Sequence, residues 1–70
     1  MCGIIGIVSN KPVSMNIINS LKKLEYRGYD SAGLATLTED SINEKKCSGR
    51  VEELEKILFK APSSGNIGIG

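Results

Sequence analysis

The sequence predicts an α+β fold in which short strands alternate with two amphipathic helices. Three observations lead to this prediction: an apolar run rich in β-branched residues opens the chain, two segments carry apolar residues at helical spacing, and a polar loop separates two strand-like runs. The chain has 70 residues. A domain of that size buries only about 60% of the surface of its unfolded chain, so we expect one domain at most, with a thin core.

The first predicted strand covers residues 3–8, directly after Cys2, and we expect this apolar run to be buried. Polar residues and a proline follow at 9–12 and predict a turn. Gly3 and Gly6 lack the close spacing of a dinucleotide-binding loop. We therefore expect these glycines, which have no side chains, to allow another element to cross the strand at close range.

A helix is predicted from Pro12 to near Arg27, because proline suits a first helical turn and apolar residues then recur along one face. These residues are Val13, Ile17, Ile18, Leu21 and Leu24. Lys22 and Lys23 oppose the negative end of the helix dipole. Gly28 can adopt the left-handed conformation that ends a helix.

Two more strands are predicted at residues 32–37 and 42–47, and the polar loop 38–41 between them predicts an antiparallel hairpin. After a short connection at residues 61–66, another apolar run begins at residues 67–70. We expect this run to be a strand of a domain that continues beyond the chain.

A second helix is predicted between the hairpin and Pro62, with Ser48-Gly49 as its cap. Glu52 and Glu53 would lie in its first turn, where acidic residues are favoured by the helix dipole. Its apolar side consists of Val51, Leu54, Ile57 and Leu58.

Composition excludes several classes of function. Nine basic residues against eight acidic ones give a net charge of +1, so we predict neither a nucleic-acid partner nor a membrane partner. Cys2 and Cys47 are far apart and the chain has no histidine, so we predict no metal site and no cofactor. The opening run is too short for a signal peptide, which favours a cytoplasmic protein with free thiols.

Cys2 is the strongest candidate for catalysis. Removal of Met1 would leave a thiol and a free α-amine on one residue, and the amine could accept the thiol proton near neutral pH. Such a pair could act without histidine. In the alternative interpretation, Cys2 is a small apolar residue that opens a buried strand.

Residues 24–33 form a second unusual segment, since ten positions hold two aromatic residues, opposite charges and two glycines. The plainer explanation is a helix end and a turn, with a surface ion pair between Arg27 and Asp30. Cys47, at the end of a polar strand, is interpreted as a bystander.

Together, the opening Met-Cys-Gly-Ile-Ile-Gly-Ile-Val at residues 1–8 and the block Leu-Lys-Lys-Leu-Glu-Tyr-Arg-Gly-Tyr-Asp-Ser-Ala-Gly at residues 21–33 resemble the start of the glucosamine-6-phosphate synthase family. These enzymes are isomerising glutamine:fructose-6-phosphate aminotransferases. The Cys-Gly-Ile opening is shared by all class II glutamine amidotransferases, whereas the second block resembles the hexosamine-forming enzymes specifically.

The resemblance implies a four-layer αββα sandwich, the N-terminal-nucleophile fold, of which residues 1–70 would be the beginning. It implies that Cys2 attacks the side-chain amide of glutamine and releases ammonia through a thioester, and that Arg27 helps to hold the N-terminal residue. Fructose 6-phosphate would be used by sugar isomerase domains outside the chain, and the parent enzyme is expected to be a homo-oligomer.

We expect the 70 residues alone to be inactive, because the family's glutamine-binding and oxyanion-hole motifs lie beyond them. Two alternatives remain open at this point. One is another class II enzyme, such as the phosphoribosylpyrophosphate amidotransferase, and the other is a small interaction domain without catalytic activity.

Overall fold

The computed structural model describes residues 3–28 and 30–70 of the chain. Its elements follow in the order strand, helix, strand, strand, helix, strand, which confirms the predicted α+β fold. They are β1 (Gly6–Val8), α1 (Ser14–Leu24), a 3-10 turn (Glu25–Arg27), β2 (Ser31–Leu37), β3 (Ile42–Ser48), α2 (Val51–Lys60) and β4 (Ile67–Ile69).

The four strands form one antiparallel sheet in the order β1-β4-β2-β3, so the last strand in sequence lies between the first and the second. Gly6 is paired with Ile69 in the β1–β4 ladder. The pairing continues beyond the strand ends, since the Ile5 amide donates to the Gly70 carbonyl at 3.0 Å and the Gly70 amide donates to the Ile5 carbonyl at 2.8 Å.

The prediction of a buried first strand over residues 3–8 was wrong. β1 has three residues and lies at a sheet edge, and Ile4 and Val8 are 83% and 79% exposed. The reason is that both helices cover only one face of the sheet, so alternate side chains point away from them. Ile5 and Ile7 point inward and pack against the core.

Helix α1 ends near the predicted position. It continues into the 3-10 turn, and the Gly28 amide donates to the Glu25 carbonyl at 2.9 Å. Gly28 has φ 117° and ψ 171°, a conformation that requires glycine but differs from the left-handed helical one that the sequence predicted. The predicted apolar stripe is confirmed, with Ile17, Ile18 and Leu21 buried.

The predicted antiparallel hairpin is confirmed, with Leu37 of β2 paired with Ile42 of β3. Thr38 closes the loop through two hydrogen bonds to the Ser41 carbonyl, one from its amide at 2.9 Å and one from its hydroxyl at 3.0 Å. Hydrogen bonds within the loop therefore stabilise it without contacts to the core.

The predicted cap of the second helix was wrong by one to two residues. Ser48 ends β3, Gly49 forms the turn with φ 94°, and Arg50 is the N-cap residue of α2. Glu52 and Glu53 do lie in the first turn, as predicted. The buried side of the helix consists of Val51, Leu54 and Leu58.

The two faces of the sheet differ in what covers them. On the helix-covered face, the core is formed by Val13, Ile17, Ile18, Leu21, Leu34, Val51, Leu54 and Leu58. The opposite face, which we call the open face, carries a row of paired apolar residues that crosses all four strands. The row consists of Val8, Ile67, Leu37 and Ile42, and all four are exposed.

Candidate active site

The start of the described chain lies against the end of α1. A Cβ atom added to Gly3 would lie 2.8 Å from Leu24 Cδ1 and 3.0 Å from Leu24 Cβ, so only glycine fits here without displacing the leucine. The close approach of another element that the sequence predicts is therefore present at Gly3, where that element is the end of α1. It is absent at Gly6, where the nearest atom to an added Cβ is 3.8 Å away.

The structure describes only one of the two predicted site residues. Cys2 lies outside the described residues. Arg27 is described through its backbone, as the last residue of the 3-10 turn. That turn directly follows Leu24, the residue that contacts Gly3. The segment next to Cys2 in sequence and the segment that carries Arg27 are thus brought to one end of the molecule.

A cleft of about 230 Å³ opens where these two segments meet. It is lined by Gly3, Leu21, Leu24, Glu25, Gly28, Asp30, Ser31, Ala32, Gly33 and Gly70. Four of these residues are glycines, which place no side chain in the cleft, and Glu25 and Asp30 are the acidic residues of its lining.

A larger depression of about 440 Å³ lies over β2, β3 and the end of β4 and includes Glu44, Lys46 and Ile69. Glu44 and Ile69 occupy outward-facing positions, so the depression belongs to the open face. We place the candidate site in the smaller cleft, because Gly3 and the 3-10 turn meet there.

One residue of the cleft was missed by the sequence reasoning. Glu25 Oε2 accepts a hydrogen bond from the backbone amide of Val51, the first residue of α2, at 2.9 Å. The two residues are 26 positions apart. The available signal was that Arg50 precedes the helix and has no acceptor in its side chain, so the acceptor had to come from elsewhere.

Cys47 is half-buried and packs against the core from β3. Burial raises the pKa of its thiol above the ordinary value, and the negative charge of Glu53 raises it further. Thiolate is the reactive form of cysteine, so Cys47 is a poor nucleophile near neutral pH.

The described residues contain neither a metal-binding cluster nor a membrane-spanning helix. Within residues 3–28 and 30–70, no three His, Cys, Asp or Glu side chains lie together in a group that could hold a metal ion. Over the same ranges, no helix has both the length and the apolar character needed to span a membrane.

Several curated proteins with the same name are similar to this chain over nearly its whole length. The relative from Rhizobium meliloti (strain 1021), named glutamine–fructose-6-phosphate aminotransferase (isomerizing), is 49% identical over 69 residues, which is 99% of this chain. A Clostridium acetobutylicum protein of the same name is 53% identical over 70 residues. This chain is homologous to the isomerising glutamine–fructose-6-phosphate aminotransferases.

The aminotransferases that it matches are much longer. The chain covers 11% of the Rhizobium meliloti enzyme and 12% of the Clostridium acetobutylicum enzyme. An aminotransferase of Brucella abortus biovar 1 (strain 9-941) is 50% identical over 70 residues, with 12% of its own length covered. No protein-family model matches the chain.

Proposed function

We propose that residues 1–70 are the N-terminal part of a class II glutamine amidotransferase domain, in an enzyme that makes glucosamine 6-phosphate from fructose 6-phosphate and glutamine. The observation that carries the proposal is the close approach of Gly3, the first described residue, to Leu24, which directly precedes the turn that holds Arg27. The names of the relatives support this substrate pair over the phosphoribosylpyrophosphate alternative.

In the proposed reaction, Cys2 is the nucleophile after removal of Met1. Its α-amine, with a reference pKa of about 7.7–8.0, takes the proton of the thiol, whose reference pKa is about 8.5. The sulfur attacks the carboxamide carbon of glutamine, the C–N bond breaks, and the nitrogen leaves as ammonia with that proton. Water then hydrolyses the glutamyl thioester to glutamate and restores the thiol.

Arg27 is proposed to hold the N-terminal residue in place for this attack. Support comes from its position in a 3-10 turn whose first residue, Glu25, and whose following residue, Gly28, both line the cleft. A nucleophile on a chain terminus is free to rotate, so fixing its orientation lowers the entropic cost of the reaction.

The open face supports the finer fold proposal, a four-layer αββα sandwich. Val8, Ile67, Leu37 and Ile42 form an apolar row across the whole sheet and are exposed in this chain. Two sheets that pack face to face bury such rows against each other. We propose that a second sheet, from the remaining length of the parent enzyme, packs on this face.

A chimaeric enzyme tests the function directly. In it, this chain replaces the matched segment of the Clostridium acetobutylicum relative, to which it is 53% identical. We expect Cys2→Ala to lower glutamate release from glutamine by on the order of 10⁴-fold or more, because loss of a nucleophile removes the chemical step.

The matched control is Cys47→Ala, which removes the other thiol of the chain and should leave turnover within about twofold of the unmodified chimaera. Thermal unfolding of both variants checks that the fold is retained. Normal glutamine turnover by a folded Cys2→Ala chimaera would contradict the proposal.

A further inference from the structure

We infer that Glu25 is a positioning residue for the proposed glutaminase site, acting through the 3-10 turn on Arg27. This inference rests on the proposed function. Its starting point is the 2.9 Å hydrogen bond from the Val51 amide to Glu25 Oε2, which joins the turn to the first residue of α2.

Helix α2 needs this acceptor. The first amides of a helix have no partner within it, and the residue before the helix usually supplies one. Here that residue is Arg50, with φ −75° and ψ 159°, and an arginine side chain has no acceptor. A carboxylate at this position also interacts favourably with the helix dipole. The hydrogen bond therefore stabilises the start of α2 and also fixes the position of the Glu25 carboxylate.

A second hydrogen bond fixes the other end of the same segment. The Gly49 amide donates to the Asp30 carbonyl at 2.9 Å. Gly49, just before α2, thus holds Asp30, and Val51, the first residue of α2, holds Glu25. Arg27 lies between these two hydrogen-bonded residues in sequence. The two hydrogen bonds therefore constrain both ends of the segment that carries Arg27.

The Val51 side of this hydrogen bond lies outside the cleft. None of the residues that line the cleft belongs to α2, although Glu25 and Asp30 do line it. The hydrogen bond from Val51 should therefore affect the geometry of the site rather than contact with glutamine. Its loss should lower kcat and leave KM for glutamine nearly unchanged.

The test uses both partners of the hydrogen bond in the chimaera. Glu25→Ala removes the acceptor. Val51→Pro removes the donor at the first helical position, where proline is tolerated, and Arg50 already has the extended backbone that a following proline requires. We expect each variant to lower kcat for glutamine hydrolysis about tenfold, and the double variant to lower it no further.

Two more variants separate positioning from general stability. Glu25→Gln keeps an acceptor oxygen, so its kcat should stay within about threefold of the unmodified chimaera. Glu55→Ala breaks the 2.8 Å ion pair with Lys22, another link between α1 and α2, and should leave kcat within about twofold.

The inference is overturned if Glu25→Ala keeps full kcat, if Glu25→Gln is as impaired as Glu25→Ala, or if the Glu25→Ala and Val51→Pro effects multiply. Failure of the proposed function has a different signature. In that case Cys2→Ala would retain turnover, whatever the Glu25 variants do.

Discussion

Both faces of the sheet carry exposed or buried apolar residues, yet the helices cover only one of them. Leu34 of β2 points to the helices and is 3% exposed, whereas its strand neighbour Leu37 points to the open face and is 45% exposed. Because both residues are leucines, their difference in exposure comes from what each face of the sheet meets. The helix-covered face should therefore determine the stability of this chain, and the open face should contribute only when another layer covers it.

The largest effect is expected on the helix-covered face. Leu54 is completely buried in α2, so Leu54→Ala should lower the free energy of unfolding by about 2–5 kcal/mol through lost burial and a cavity. Urea unfolding of the chain, followed by circular dichroism, measures this. Phe59→Ala in the same helix is the control, because Phe59 is 75% exposed and its loss should change stability by about 0.5 kcal/mol or less. Equal losses of stability in Leu54→Ala and Phe59→Ala would contradict the distinction between the helix-covered face and the exposed surface.

Gly68 of β4 and Gly6 of β1 allow the packing of the two faces to be compared by adding one methyl group at each position. A Cβ at Gly68 would lie 2.7 Å from Ile17 Cδ1 and 3.1 Å from the Ala35 carbonyl, so Gly68→Ala should cost about 1–3 kcal/mol through overpacking. Gly6 faces the open side, and its added Cβ would meet only ordinary contacts at 3.8 Å or more. Gly6→Ala should therefore be close to neutral in the same urea experiment, and a cost as large as that of Gly68→Ala would count against the packing described.

The smallest effect is expected at Ile69, which faces the open side of β4 and is 61% exposed. Ile69→Ala should change the stability of the chain itself by about 0.5 kcal/mol or less. In the chimaera, where we propose that a second sheet covers this face, the same substitution should cost about 2–4 kcal/mol. An equally small cost in both would contradict the four-layer sandwich.

The sequence predicted the elements better than their arrangement. The helical spacing of Ile17 and Leu21 and the polar loop around Thr38 are local signals, and the corresponding helix and hairpin are confirmed. The insertion of β4 between β1 and β2 has no local signal, because strand order depends on contacts between distant segments. The same limit explains why β1 was expected to be buried.

The candidate site was predicted in part. The unusual residues around Arg27 indicated that the segment matters, and the structure places its turn beside Leu24 and Gly3. The role of Glu25 could not be predicted, because its partner is a backbone amide 26 residues away and every residue except proline supplies such a group. Only the fold decides which amide it is.

The most direct test of the account is to find which sulfur reacts. The chimaera, with Met1 removed, is treated near neutral pH with an electrophile that mimics glutamine, and the adduct is located by peptide mapping. Burial and Glu53 raise the pKa of the Cys47 thiol, so that sulfur should stay protonated and unmodified. The proposed function predicts a single adduct on Cys2, and excess glutamine should prevent its formation. An adduct on Cys47, or none on Cys2 in an enzyme that still hydrolyses glutamine, would contradict it.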